Sequence, residues 1–363
     1  MIRIDNAPVP VVQSRRKLGL EIEVDVGHGG SRESINRSIQ GWSLQGDGSL
    51  ANGIEFIFDG PVLVDTAKER VERFCTTIKD VNVHRRGGYH VHVQGNNYSH
   101  ADSFSIALLY TKCQNVINKL VASSRIDNTY CKAWTVADFR NGVEAFIRTC
   151  NLTTQSSPTR GSAKHVAGRY RTVNLNMMSC RDENQRSIEF RQGSVSKRFA
   201  VVFGWATLVL ALAEAAKDNV KVNRLPENCS LQDMLAFLRD YERSSGSTNV
   251  SNWVQWRYDY LNQKPDDAEL RLALETIAGG PVGLYGLSRK LDINLAVCKR
   301  LLDELTAKNL IFKRPNGTAY IASYEFKAEE DLKTILTVLA TRQAPVETAA
   351  QTILLQTPPL IIL

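Results

Sequence analysis

The chain has seven cysteines (75, 113, 131, 150, 180, 229 and 298) but no CxxC pair. An odd, scattered set of thiols argues against a disulfide framework and against a thiolate zinc site. The opening, MIRIDNAPVPVVQSRR, lacks the apolar core of a secretory signal. The longest apolar run, 199–213, falls short of the ~20 residues a spanning helix needs, and it leads into the helix-former run AEAAK. These absences predict a cytoplasmic protein with no membrane span. No GxxxxGK[ST], GxGxxG or GxSxG occurs, which excludes the P-loop, dinucleotide-fold and serine-elbow solutions. Acids are the minority charge, 38 against 45 Lys plus Arg, for a net charge of +7. That surplus permits contact with nucleic acid or phosphorylated ligands without requiring it.

What is present is ordinary for a globular chain: 363 residues, 43% hydrophobic and 23% charged. Wholesale disorder, collagen and coiled coils are excluded, and the length suits two or three domains. KLGLEIEVDV (17–26), GIEFIFDG (53–60), YHVHVQG (89–95), RTVNLNMM (171–178) and RSIEFRQG (186–193) alternate polar and apolar residues and predict strands. Residues 64–81 and 99–124 have helical spacing, with Ser99 or Asp102 as an N-cap for the second. Together these elements predict an α+β domain with a mostly antiparallel sheet, one face of which is unusually polar.

The polar face carries the chemistry. Glu21 and Glu23 stand at i and i+2 of an apolar strand and share a face. Glu55 sits among apolar neighbours in a second strand, His90 and His92 form another i, i+2 pair, and Glu189-x-Arg191 repeats the spacing. Leu20, Ile22, Val91, Val93, Ile188 and Phe190 are the expected core-facing partners. Alone, Glu21 and Glu23 read most simply as a solvated sheet face and Glu189-x-Arg191 also fits a cross-strand ion pair, while the His90/His92 pair and Glu55 divide between that plain reading and a metal or phosphate site. Taken together they differ, because unrelated surface strands have no reason to turn Glu, His and Arg the same way. Carboxylates with an imidazole suit Mg²⁺ or Mn²⁺. Arg85-Arg86-Gly87-Gly88 leads into the histidine strand, and Asp47-Gly48-Ser49 forms a turn before Glu55. Lys164, Arg169 and Arg171 precede Asn174 and Asn176. Arginines beside metal-bridged phosphate are what phosphoryl transfer requires; the plainer reading, favoured for Lys164, is a solvated basic loop. Cys131, Cys150 and Cys180 read as small buried residues.

The ordered set GLEIEV, DGSL, GIEF, GGYHVHV, RYRTVNLN and SIEFRQGS resembles the amidoligase family of glutamine-synthetase-like carboxylate–amine ligases. The resemblance covers residues 17 to 215. It implies a glutamine-synthetase-like sheet face that binds ATP and divalent metal, with helices on the other side. It also implies a reaction that phosphorylates a carboxylate and lets an amine displace the phosphate. Carried over, Glu21, Glu23, Glu55 and Glu189 match metal ligands, and His90 or His92, with His92 preferred, matches the metal- or phosphate-contacting histidine. Arg86, His90, His92, Arg169, Asn174 and Arg191 fall to ATP or phosphate binding. Glu21, Asp47, Arg169 and Arg191 fall to catalysis, with Asp47 on the substrate side. The Arg85–Gly88 loop is the expected cover that keeps water out. The chain departs from the family pattern at EFIFDGP, where Pro61 is displaced, which blurs the expected geometry near Glu55.

Beyond residue 215 the texture changes. Residues 216–265 predict a helical extension. Residues 266–324 predict a winged helix, with a turn at Asp292-Ile293-Asn294 and a hairpin at Pro315-Asn316-Gly317. Residues 325–363 predict a helix and an apolar tail. The winged helix lies outside the family core. Its second helix mixes Lys299 and Arg300 with Asp303 and Glu304, so a peptide, a protein or DNA are all readings for its partner, and self-association is another. Two alternatives to the ligase stand: a nucleic-acid- or peptide-binding protein with an inactive ligase-like domain, and a metal-dependent phosphohydrolase.

Overall fold

Alternation in LGLEIEVD builds the first strand, β1 (Leu18–Asp25), with Leu18, Leu20, Ile22 and Val24 buried. The computed structural model describes residues 6–25, 38–47, 53–79, 87–126, 128–135, 170–180, 182–262, 265, 267–291, 293, 295–307, 310–314 and 318–322. The chain divides into two compact units, residues 2–262 and 263–363.

The first unit holds a six-stranded sheet in the order β2-β3-β1-β4-β6-β5, every pair antiparallel. The other strands are β2 (Trp42–Asp47), β3 (Gly53–Phe58), β4 (Gly88–Gln94), β5 (Val173–Asn174) and β6 (Ser187–Ser194). The expected core residues Leu20, Ile22, Val91, Val93, Ile188 and Phe190 are all buried. Two expectations change in detail. RTVNLNMM keeps only two strand residues before a 3₁₀ turn at Asn176–Ser179. WSLQGD, unmarked in the sequence reading, is the edge strand β2.

Helices cover the apolar face. They are α1 (Val64–Thr77), α2 (His100–Lys112), α3 (Gln114–Asn118), α4 (Phe199–Ala215), α5 (Asn219–Arg224), α6 (Leu231–Ser245) and α7 (Val250–Asn262). The span read as one helix over 99–124 breaks at Cys113, which ends α2 and opens α3. Ser99 caps α2 in a reciprocal box with Asp102, satisfying donors that the first turn leaves open. Helix α4 is buried along nearly its whole length and packs on β4, β6, α1, α2, α6 and α7. Phe56 meets Phe74 edge-on at 5.2 Å, and Tyr89 donates to the Val202 carbonyl at 3.1 Å, tying the sheet to α1 and α4.

The second unit contains α8 (Asp267–Ala278), β7 (Val282–Gly283), α9 (Leu284–Leu291), α10 (Leu295–Ala307), β8 (Ile311–Lys313) and β9 (Ala319–Ala322). Its three strands pair antiparallel in the order β7-β9-β8. Leu270, Leu274, Leu287, Val297, Leu301 and Leu305 fill its core. The expected hairpin turn at 315–317 and the tail from 325 lie outside the described residues. Among the described residues, no helix is long and apolar enough to cross a membrane.

Candidate functional site

Residues directly opposite in an antiparallel ladder share a face, so register alone assembles the site. Gln45 faces Glu55, Glu55 faces Glu23, Glu21 faces His90, His92 faces Glu189, and Glu189 faces Asn174. Four strands, β1, β3, β4 and β6, thereby place four carboxylates and two imidazoles on one sheet face, opposite the helices.

A bulge adds the arginine. Tyr89 pairs with Gly193 while Val91 pairs with Phe190, so Arg191 and Gln192 together stand opposite His90. Arg191 is bonded to the Glu189 carboxylate through Nη1, and its Nε donates to the Tyr130 carbonyl at 3.1 Å. Gln192 turns the other way and is buried against Tyr110, Gln114 and Asn118. One extra residue thus serves both faces of β6.

His90 lies at the centre and is 3% exposed. Its Nδ1 is 3.3 Å from Glu21 Oε2 and 3.6 Å from Glu189 Oε1, while Nε2 is 3.6 Å from Glu23 Oε1. Among the described residues, two triads with ligand atoms within 4.8 Å of one another share it: Glu21, His90, Glu189 and Glu23, Glu55, His90. His92 belongs to neither triad; its Nε2 lies 3.1 Å from Glu21 Oε1, outside hydrogen-bond geometry.

The charges respond to this crowding. Burial pushes the Glu21 carboxyl up, but the two imidazoles outweigh it and hold it well below the usual carboxylate range. Burial and the neighbouring Glu21 raise Glu55, against a hydrogen bond from Gln45 Nε2 at 2.9 Å. Burial opposes the His92 imidazolium, yet Glu21 and Glu189 raise it overall. Four carboxylates with a shared imidazole, all oxygen and nitrogen donors, fit a hard divalent cation.

Supporting contacts fix the ligands. Gly88 N donates to Glu23 Oε2 at 2.8 Å, and Asn174 Nδ2 donates to Glu189 Oε2 at 2.7 Å. A Cβ at Gly87 would sit 2.0 Å from the Glu23 carbonyl oxygen, and one at Gly88 2.6 Å from its carboxylate. The glycine pair therefore lets the backbone close on Glu23. Arg125, in a 3₁₀ turn at Ser123–Arg125, is buried and donates to the Arg191 carbonyl. Sequence reasoning missed Arg125 and Gln45, since an arginine at a helix end and a glutamine in an edge strand carry no periodic signal.

Asp47 ends β2 opposite Gly53, two residues beyond Gln45. Arg86, Arg169 and Lys164 lie outside the described residues, as does most of the proposed cover loop. Of the three cysteines read as buried, Cys131 is buried, Cys180 is partly exposed, and Cys150 lies outside the described residues. No protein-family model matches the chain, and no curated protein does either.

Proposed function

We propose that the chain is an ATP- and Mg²⁺- or Mn²⁺-dependent carboxylate–amine ligase of the amidoligase kind, built on a glutamine-synthetase-like sheet face. The observation that carries this reading is the pair of carboxylate triads sharing His90 on one antiparallel face. The six-motif resemblance supplies the reaction. Divalent ions held by Glu21, Glu23, Glu55, Glu189 and His90 would supply positive charge against the phosphates of ATP.

The protein's own groups do the rest. Arg191, fixed at Nε by the Tyr130 carbonyl and at its backbone by Arg125, presents a positioned cation beside Glu189. Asn174 and Gly88 hold the Glu189 and Glu23 carboxylates in place, so their geometry is set before substrate arrives.

The test is ATP turnover with Mg²⁺ in the presence of pooled amino acids and amines, followed by mass spectrometry. Amine-dependent ADP release, with a product lighter than its parts by one water, is expected. Phosphate release that needs no amine would instead identify a phosphohydrolase, and the absence of ATP binding would remove the ligase.

The order α8-β7-α9-α10-β8-β9 in the second unit supports the winged-helix reading for residues 266–324. On α10 the Lys299 ammonium pairs with Asp303 one turn on, and a peptide, a protein or DNA all stay open as partners of this unit.

A further inference from the structure

Beside the carboxylate cluster the same unit holds a cavity of about 330 Å³. Glu21 and His92 line it, as does Arg186 from the segment leading into β6. Ile57, Phe58 and Pro61 give it an apolar lining. Gly19, directly opposite His92 in the ladder, adds no side chain to fill it. Of the residues lining the cavity, Glu21 is the one acid and Arg186 the one arginine.

The Glu21 carboxylate divides its oxygens. Oε2 faces His90 in the cluster, and Oε1 faces His92 on the cavity wall. The cavity therefore abuts the ion site through a single shared side chain. Arg186 is anchored at Nε by the Cys180 carbonyl at 2.9 Å. Its Nη1 is held at 3.0 Å by Glu183, an exposed acid whose pairing a better-placed anion can displace.

We infer that this cavity is the amine-substrate site, and that it takes an amine that also carries a carboxylate, the class of the free amino acids. The inference rests on the ligase reading for the word substrate, but the binding itself follows from the cavity. An ammonium group is drawn to Glu21, a carboxylate to Arg186, and a short hydrocarbon stem lies along Ile57 and Pro61. A polyanionic nucleotide is disfavoured, because one guanidinium faces it and Glu21 repels it.

Saturation-transfer NMR on the full chain, with each protein amino acid in turn, tests this. The decarboxylated amine of each binder is then titrated for comparison. At least one amino acid is expected to bind, and its decarboxylated amine roughly tenfold more weakly. Arg186→Gln should abolish that difference. Because Arg186 also holds the Cys180 carbonyl, Glu183→Ala gives a second reading: freeing the guanidinium should tighten binding roughly two- to fivefold. A merely structural role for the pair predicts no gain. No binding by any amino acid, equal binding by the amines, or weaker binding in Glu183→Ala would each overturn the assignment. ATP with Mg²⁺, titrated separately, judges the ligase reading. Amino-acid binding without ATP binding would keep the cavity and discard the ligase; the reverse would do the opposite.

Discussion

His90 and His92 are two residues apart on one strand, yet their surroundings give them different chemistry. His90 is buried with a carboxylate at each ring nitrogen, so it can serve either triad; His92 lines the cavity and meets Glu21 there. The sequence spacing put both on one face and the family resemblance preferred His92, whereas both triads share His90, because the separation depends on which strand lies on each side. In metal-free protein His92 is the group whose titration should be visible in stability. Burial works against its charged form, but Glu21 and Glu189 raise it above its ordinary 6.5. A raised value in the fold means that the pair's contribution is complete below 6.5 and fades as pH climbs through the raised value. Urea unfolding in chelator from about pH 5 to 9 should therefore show wild-type stability falling across the upper part of that window. His92→Gln should remove that fall. Parallel curves for the two proteins would place the titration elsewhere.

At the level of elements, the strands that carry the site announced themselves because each must satisfy two demands at once. Leu20, Ile22, Val91, Val93, Ile188 and Phe190 fill one face while Glu, His and Arg occupy the other, and that alternation is visible in any one strand. Edge strand β2 was not visible, since Gly46 and Asp47 weaken its β pattern and only pairing with β3 makes it a strand. The bulge that aims Arg191 was also hidden, because an extra residue shows only against a partner's register. Helix contacts were equally unreadable: the apolar run 199–213 predicted a buried helix but not its crossing with α7. That crossing depends on Gly204, where a Cβ would lie 2.0 Å from Trp253 Nε1, an atom that donates to the Ala200 carbonyl at 2.8 Å. Alanine favours a helix over glycine by about 0.8–1 kcal/mol, so in isolation Gly204→Ala would stabilise. Overpacking wins here. We expect a net loss of about 1–3 kcal/mol in chemical denaturation. A Gly204→Ala protein as stable as wild type would mean that α4 and α7 separate without cost.

At the scale of the molecule, the division of labour follows from where the charged face lies. Every described residue of the two triads, Arg191 and the neighbouring cavity belong to residues 2–262, whose core includes α6 and α7 packed on α4. The sequence reading set 216–265 apart as an extension. Their apolar residues Leu235, Leu238, Trp253 and Val254 are nevertheless buried, and Arg257 Nε donates to the Leu120 carbonyl at 3.0 Å. A truncation ending at residue 262 should therefore fold, whereas one ending at 215 would expose that buried surface. If the carboxylate cluster holds divalent ions, Mg²⁺ at about a hundred times its dissociation constant should stabilise the full chain by about 2.7 kcal/mol, because it binds the folded state alone. The fragment 1–262 should keep that gain in full, and Glu189→Gln, which touches one of the two triads, should reduce it in both proteins. A fragment that folds but no longer responds to Mg²⁺ would mean that residues beyond 262 help to form the ion site, and the second unit would then belong to the catalytic machinery rather than to partner choice.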